Sequence, residues 1–199
     1  MARRSDHTRE NLKELILNTA QKIVELEGFE ALTARRIAAD VGYTAGTIYN
    51  IFESMDDLCL QLNARTLDLL NETLAAPPAK TPLQAVKTMA AQYMDFAHTH
   101  KNRWLMLFSH HMSDGRVVPD WYQDKIDRMF APLESALTPL FPPRQAQKCH
   151  TTARVLWSAV HGLCLLHVTG KMPLIDANTK PEALTALLVE TFMAGLKPL

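Results

Sequence analysis

Hydrophobic residues recur along most of the chain at the spacing of amphipathic helices, and the alternating pattern of strands is nearly absent. The first helical stretch has apolar side chains at positions i, i+3, i+4, i+7 and i+8 between Leu12 and Val24. Gly28 follows this stretch, and glycine often provides the left-handed residue that ends a helix. The pattern predicts an all-α protein that opens with a long amphipathic helix.

Two shorter helices follow, each preceded by a residue that can cap free backbone N–H groups. Thr33 precedes a segment over about residues 34–41, and Gly42 ends it. Thr44 precedes a third segment that runs to about Ile51. Two short helices joined by a tight turn that contains glycine predict a helix-turn-helix.

Ser54 and Asp57 have the spacing of a capping box and open a fourth helix that reaches about Leu74. The prolines Pro77, Pro78 and Pro82 then make the clearest break in the chain, so the domain seam is expected on or near the fourth helix. Further helices are expected over about residues 82–99, 102–112, 119–138, 143–169 and 180–196. Pro132 should kink or split the third of these. A loop at Asp114-Gly115 separates two of them. The expected total is about nine helices, divided into a small domain over residues 1–54 and a larger one over residues 55–199.

The third short helix begins with small and polar residues, which suits an approach to DNA. In a helix-turn-helix the second helix enters the major groove with its N-terminal residues at the base edges. Ala45 and Gly46 are small enough for the helix backbone to come close. The hydroxyl groups of Thr44, Thr47 and Tyr49 can reach the DNA backbone. The sequence therefore predicts double-stranded DNA as a partner.

The segment LTARRIAADVGYTAGTIYNIFESMDDL, residues 32–58, resembles the DNA-binding domain of the TetR family of transcriptional regulators. It fills every fixed position of the family pattern T-x-x-x-I-A-x-x-x-G-x-[ST]-x-G-[ST]-[LI]-Y-x-x-F-x-[SN]-x-x-x-L, which is a specific match. The resemblance implies an N-terminal three-helix DNA-binding domain and a larger helical domain for effector binding and dimerisation. The positions that would contact DNA are Arg35, Thr44, Ala45, Gly46, Thr47, Tyr49 and Asn50.

At two variable positions of the pattern the chain lacks the residue that is usual in the family, and both differences remove a phosphate contact. Ile51 replaces a common histidine, and Met55 replaces a common lysine. The whole chain is neutral, and residues 1–57 contain seven basic and ten acidic residues. A modest salt dependence of DNA binding is therefore expected. The basic residues expected to supply most of the attraction are Arg3, Arg4, Arg9, Arg35 and Arg36.

The resemblance also implies that the last two helices form a four-helix interface in a homodimer. Residues 150–168 are apolar nearly all round, and the last helix carries an apolar stripe. The same residues are also typical of a monomer core. The predicted interface residues are Ala159, Leu163, Leu166, Leu184, Leu188 and Phe192.

Aromatic and methionine side chains with a few polar groups lie between these helices and are typical of a small-molecule pocket. They are also typical of an ordinary helical core. The predicted effector-pocket residues are Tyr93, Met94, Trp104, Phe108, His111, Trp121, Tyr122, Trp157 and His161. The segments RWLMLF, residues 103–108, and WSAVHGL, residues 157–163, resemble a TetR subgroup with a Trp…His-Gly signature.

These observations predict a cytoplasmic repressor that a small apolar or aromatic effector releases from a palindromic operator. The fourth helix would be the lever between effector and DNA. An activator remains open, as does a helical interaction protein of the same fold that has lost sequence-specific DNA binding. The histidine pairs at 98 and 100 and at 110 and 111 do not share a helix face, and no catalytic motif is present. We therefore expect no enzyme activity, no metal and no cofactor. Cys59, Cys149 and Cys164 are expected to be buried or idle thiols.

Overall fold

The computed structural model describes residues 8–74, 79–113 and 117–196. Within these ranges the chain is helical and contains no strand, which confirms the all-α prediction. The helices are α1 (Arg9–Glu27), α2 (Ala34–Val41), α3 (Ala45–Ile51), α4 (Met55–Thr73), α5 (Pro82–Thr99), α6 (Lys101–Ser109), α7 (Asp120–Leu137), α8 (Ala146–Val168) and α9 (Pro181–Gly195). None of these helices is long and apolar enough to cross a bilayer. Arg3, Arg4, Pro77, Pro78 and the loop at Asp114-Gly115 lie outside the described residues.

Helix α2 begins and ends where its flanking residues predict. The Thr33 hydroxyl oxygen accepts a hydrogen bond from the backbone N–H of Arg36 at 3.1 Å. Gly42 adopts the left-handed conformation (φ 77°, ψ 29°), and its N–H bonds back to the last turn of the helix. Thr44 occupies the corresponding position before α3, but its side chain makes no capping hydrogen bond, so the predicted side-chain cap at Thr44 is wrong. Its hydroxyl lies 3.2 Å from that of Thr47 instead.

Helix α4 begins with the predicted capping box. Ser54 Oγ accepts from the backbone N–H of Asp57 at 3.1 Å, and Asp57 Oδ2 accepts from the backbone N–H of Glu53 at 3.1 Å. Further along, α7 runs as one helix through Pro132, so this proline does not split the helix, and the kink stays a prediction. The first turn of α7 starts at Asp120, which fits the positive end of a helix dipole.

The chain forms two compact units, which we call unit one (residues 1–66 and 100–122) and unit two (residues 67–99 and 123–199). The division falls within α4 and assigns α6 to the unit that contains the helix-turn-helix. Because this division reflects compactness alone, the functional boundary between residues 54 and 55 stays a prediction.

Unit one has an apolar core to which α1, α2, α3, α4 and α6 contribute. The fully buried Ile16, Ile37 and Ile48 belong to this core. Helix α6 is also attached through polar groups, because the nearly buried Arg103 donates to Thr66 Oγ1 at 3.3 Å and to Glu25 Oε1 at 3.4 Å. Burial lowers the pKa of Arg103, and Glu25 opposes that effect. This network joins α1, α4 and α6 within the unit that contains the helix-turn-helix.

Unit two is built around α5, α8 and α9, with α7 beside them. The buried Thr185 on α9 lies 2.7 Å from the sulfur of Met94 on α5. At the surface, Lys87 Nζ on α5 bonds Glu190 Oε1 on α9 at 2.6 Å. Arg154 on α8 forms an ion pair with Glu134 on α7, and its guanidinium lies 4.2 Å from the centre of the Phe130 ring.

Candidate nucleic-acid interface and ligand cavity

Helix α3 is held by one apolar side and leaves its other side open. Ile48 and the following Phe52 are each 1% exposed and belong to the core of unit one. Gly46, Tyr49 and Asn50 are exposed on the same short helix, with Tyr49 at 53%. A rigidly anchored helix therefore presents several of the residues predicted to contact DNA. Of the others on this segment, Thr44 is exposed, and Ala45 and Thr47 are half-buried.

The two arginines of α2 differ in the partners that they have within the protein. Arg36 donates to both carboxylate oxygens of Glu27, at 2.7 and 3.0 Å, and to Asp40 at 3.0 Å. The hydrogen bonds to Glu27 and then to Asp40 raise the pKa of Arg36. Arg35 is exposed and has no ion-pair partner among the described residues. Arg35 is therefore better placed than Arg36 to attract a phosphate group.

An open cleft of about 540 Å³ lies beside α3 within unit one. Asp56, at the start of α4, accepts from His110 Nε2 at 3.0 Å and from the backbone N–H of Ser113 at 3.0 Å. The hydrogen bond from His110 lowers the pKa of Asp56, and Ser113 adds to this effect. The residues that line the cleft are Phe29, Leu32, Thr33, Ala34, Tyr49, Met55, Asp56, Cys59, Ser109, His110 and His111. The sequence does not predict this cleft, because its walls come from segments that are distant in the chain.

An aromatic cluster lies in unit two between α5, α7 and α8. Tyr93 Oη is 2.9 Å from His161 Nδ1, and the indole of Trp157 stacks on His161 with ring centres 4.9 Å apart. Phe130 meets Trp157 edge-on at 5.4 Å. Burial lowers the pKa of His161, so the neutral imidazole is favoured. Phe130 was not among the predicted pocket residues, because the helical period of α7 does not show which neighbour its aromatic side chain meets.

Two cavities in unit two share Ala90 as a wall residue. The smaller one, about 40 Å³, is lined by apolar and aromatic side chains that include Tyr93, Trp157 and Phe130. The larger one, about 410 Å³, lies beside α5 and α9 and has a mixed lining that includes Lys87, Asp95, His98 and His167. The predicted pocket residue Met94 lines the larger cavity.

The predicted effector-pocket residues divide between the two units. Tyr93, Met94, Trp157 and His161 belong to unit two, whereas Trp104, Phe108, His111, Trp121 and Tyr122 belong to unit one. In unit one, Trp104 is fully buried. Tyr122 is 6% exposed, and burial raises its pKa to about 12. Phe108, His111 and Trp121 are exposed. Only the unit-two members meet around the aromatic cluster and the two cavities.

The predicted dimer residues lie on α8 and α9, which pack against each other. Each of the six is half-buried within the monomer, so each keeps part of its apolar surface accessible. Three further apolar side chains on the same helices are more exposed: Val155 at 53%, Leu165 at 39% and Leu187 at 59%. A contiguous pair of helices with this much uncovered apolar surface is typical of an interface.

Histidine and cysteine side chains form no metal-binding group of three or more in the part of the chain that the structure describes. His98 and His167 stack with ring centres 5.5 Å apart, and His150 lies 4.0 Å from Glu134. The three cysteines are free and buried, as the sequence predicts. Burial raises the pKa of Cys59 and of Cys164 to about 12, so neither thiol is activated as a nucleophile.

Both parts of the chain match known protein families. Residues 16–62 match the bacterial regulatory proteins of the tetR family. Residues 86–192, more than half of the chain, match the tetracyclin repressor-like C-terminal domain. The chain belongs to the TetR family. It is a DNA-binding transcriptional regulator with an N-terminal helix-turn-helix. The Trp…His-Gly subgroup stays a prediction.

Two similar sequences and several solved structures agree with this assignment. The chain is 28% identical over 170 residues to the uncharacterized HTH-type transcriptional regulator Rv0681 of Mycobacterium tuberculosis, covering 83% of this chain and 74% of that protein. It is 30% identical over 104 residues to the uncharacterized HTH-type transcriptional regulator YerO of Bacillus subtilis, covering 49% and 35% of the two proteins.

The solved structures show that the fold is shared. A transcriptional regulator from Rhodococcus sp. Rha1 has a TM-score of 0.69 at 17% identity and covers 92% of this chain and 96% of its own. The TetR regulator PfmR from Thermus thermophilus has a TM-score of 0.60 at 15% identity and covers 92% of this chain and 98% of its own. At these identities the similarity concerns the fold alone.

Proposed function

We propose that this TetR-family regulator is a homodimeric repressor that leaves a palindromic operator when a small apolar or aromatic effector binds in unit two. The observation that carries the proposal is the exposure of Gly46, Tyr49 and Asn50 on a helix anchored by Ile48 and Phe52. The N-terminal turn of α3 reads base edges, while Thr44, Thr47, Tyr49 and Arg35 contact the DNA backbone. A cytoplasmic location and the absence of enzyme activity are part of the same proposal.

The apolar surface on α8 and α9 supports the dimer. A symmetric pair of helix-turn-helix units binds two half-sites about 34 Å apart, one turn of DNA, so the operator repeats the two-fold symmetry of the protein. In the proposed dimer, Leu163 and Leu166 on α8 and Leu184, Leu188 and Phe192 on α9 pack against the same residues of a second copy. Ala159 permits close approach of the two α8 helices.

The aromatic cluster supports an effector with an apolar or aromatic body. Stacking on Trp157 and one polar contact to the Tyr93–His161 pair suit such a molecule. The cavity of about 40 Å³ is far smaller than the roughly 300–1,000 Å³ typical of ligand sites. The effector must therefore displace lining side chains, and the flexible Met89 and Met129 are suited to move.

Coupling to DNA runs through α4 in this proposal. The helix starts at Met55, directly after the helix-turn-helix, and is followed by Leu74, which lines the small cavity. An effector shifts the equilibrium only if it binds the DNA-incompetent state more tightly than the DNA-competent one. A ligand that fills this cavity and leaves operator affinity unchanged would contradict release by that ligand.

The test of function is selection of bound fragments from random duplex DNA by the purified protein. We expect an enriched palindrome whose half-site centres lie about one helical turn apart. The double variant Tyr49→Ala and Asn50→Ala should lose the enrichment, whereas Leu174→Ala, at an exposed position in unit two, should keep it. Absence of any enriched sequence with the wild-type chain would favour the alternative, a helical interaction protein that has lost sequence-specific binding. Ile51, Met55 and the acidic balance of residues 1–57 favour that alternative.

A further inference from the structure

His111 follows α6, far from the helix-turn-helix in sequence, yet it lines the same open cleft as Tyr49 of α3. The exposed side chain of His111 lines the open cleft that Tyr49 of α3 and Met55 of α4 also line. Tyr49 is 53% exposed there. The structure thus places a residue that can carry positive charge in a cleft whose wall includes Tyr49, which is predicted to contact the DNA backbone.

We propose that protonated His111 contacts a backbone phosphate of the operator beside the phosphate contacted by Tyr49. The inference rests on the proposed DNA-binding function and adds a contact from outside the helix-turn-helix. Unit one otherwise carries an excess of acidic residues over residues 1–57, and Arg36 is engaged with Glu27 and Asp40. An added cation at this edge would offset part of that imbalance.

The hydrogen bond that His111 makes within the protein defines which nitrogen is available. Nδ1 lies 2.9 Å from the backbone carbonyl oxygen of Ser109. Because a carbonyl oxygen can only accept, Nδ1 carries the hydrogen of the neutral ring, and Nε2 has none. Protonation places an N–H and a positive charge at Nε2, and both favour a phosphate oxygen. The contact therefore strengthens as the pH falls.

The other titratable groups of the cleft are Asp56, His110, Cys59 and Tyr49. Asp56 stays an ionised carboxylate in the cleft wall, but His110 Nε2 and the backbone N–H of Ser113 already occupy its two oxygens, one each. His110 uses its Nε2 in that contact and is 6% exposed at its side chain. Ala34 of α2 and the preceding Thr33 line the cleft, and neither carries a charge. Within the described lining, His111 is therefore the histidine whose Nε2 remains accessible to DNA.

The test compares operator affinity by fluorescence anisotropy at pH 6 and pH 8, the range over which histidines change charge. The duplex is the palindrome enriched by the wild-type chain. We expect His111→Gln to bind several-fold more weakly than wild type at pH 6 and equally at pH 8. His111→Lys should bind more tightly than wild type at pH 8, with a log–log salt slope steeper by about 0.9 per chain.

The matched control is Val117→Lys, which adds the same charge at a position that is 86% exposed in unit one and does not line the cleft. Its salt slope should remain that of wild type. The inference is overturned if His111→Gln matches wild type at both pH values, or if Val117→Lys changes the slope as much as His111→Lys. If the wild-type chain binds no duplex, the proposed function fails first and the inference fails with it.

Discussion

At the scale of single residues, the neighbours of a charged side chain decide what it can offer to DNA. Arg35 and Arg36 are adjacent on α2 and both exposed, yet only Arg36 is bound by carboxylates, those of Glu27 and Asp40. The sequence predicted both as sources of attraction. The structure distinguishes them, because the Glu27 partner lies in α1 and no local pattern identifies it.

We expect Arg35→Gln to weaken operator binding across all sequences and to lower the log–log salt slope by about 1 per chain. Arg36→Gln should change the slope little, because its charge is already balanced by Glu27 and Asp40. Titrations of operator at several salt concentrations measure both. Equal losses of slope for the two variants would show that the ion pairs of Arg36 open on DNA.

The carboxylate of Asp56 gives unit one a defined response to acid. Its pKa is lowered in the folded protein by His110 and Ser113, so the unfolded chain binds that proton more readily. The ionised Asp56 therefore contributes fully to the free energy of unfolding above about pH 5, and this contribution is lost as the pH falls through the lowered pKa. We expect the urea midpoint of wild type to fall more between pH 6 and pH 3 than that of Asp56→Asn. Asp124→Asn, at an exposed position on α7, should follow wild type.

Most of the residue chemistry that acts over one turn of helix could be predicted, although Thr44 does not cap α3, and chemistry that acts between distant segments could not. Thr33, Gly42 and the Ser54–Asp57 box lie beside the helix ends that they define, so their roles follow from spacing. The Asp56–His110 contact joins residues 54 positions apart, and no periodicity relates them.

At the scale of elements, the helix-turn-helix contains two glycines, Gly42 and Gly46, and a different physical reason favours glycine at each. Gly42 has a φ of 77°, which an L-residue adopts only with strain, so the turn itself requires glycine. A Cβ added to Gly46 would lie 3.7 Å from Thr44 Oγ1, an ordinary contact. The fold of α3 therefore does not require glycine at position 46, whereas close approach to DNA would.

We expect Gly46→Ala to stabilise the fold by up to about 1 kcal/mol through helix propensity and yet to weaken operator binding. Gly42→Ala should destabilise it by about 1–2 kcal/mol because of the left-handed backbone. Urea unfolding and anisotropy titrations separate the two properties. If the Gly46→Ala variant is more stable than wild type and binds the operator equally well, close approach of the backbone to DNA does not explain the glycine at this position.

Periodicity predicts that α6 is a helix but not which part of the molecule it packs against. Its apolar residues predicted a helix over about 102–112, and the structure has it at Lys101–Ser109. Nothing in that pattern shows which unit covers the helix. In the structure Met106 belongs to the apolar core of unit one, and the buried guanidinium of Arg103 finds partners in Glu25 and Thr66 of the same unit. The sequence prediction for this reason placed the candidate pocket residues on or after α6 in the larger domain over residues 55–199.

At the scale of the whole molecule, the proposed function requires two chains, because one helix-turn-helix reads only half of a palindrome. Leu187 on α9 is 59% exposed in the monomer and lies next to the predicted interface residues Leu184 and Leu188. A carboxylate introduced there would be buried without a partner in the dimer, at a cost of several kcal/mol.

We expect Leu187→Glu to elute as a monomer in size-exclusion chromatography with light scattering. The loss of simultaneous binding to two half-sites should then lower operator affinity by roughly two orders of magnitude or more. Leu174→Glu is the matched control, because Leu174 is 82% exposed and lies outside α8 and α9. It should remain dimeric and keep its affinity. A dimeric Leu187→Glu would place the interface elsewhere, and a monomeric wild type that still binds the full palindrome would contradict the two-chain requirement itself.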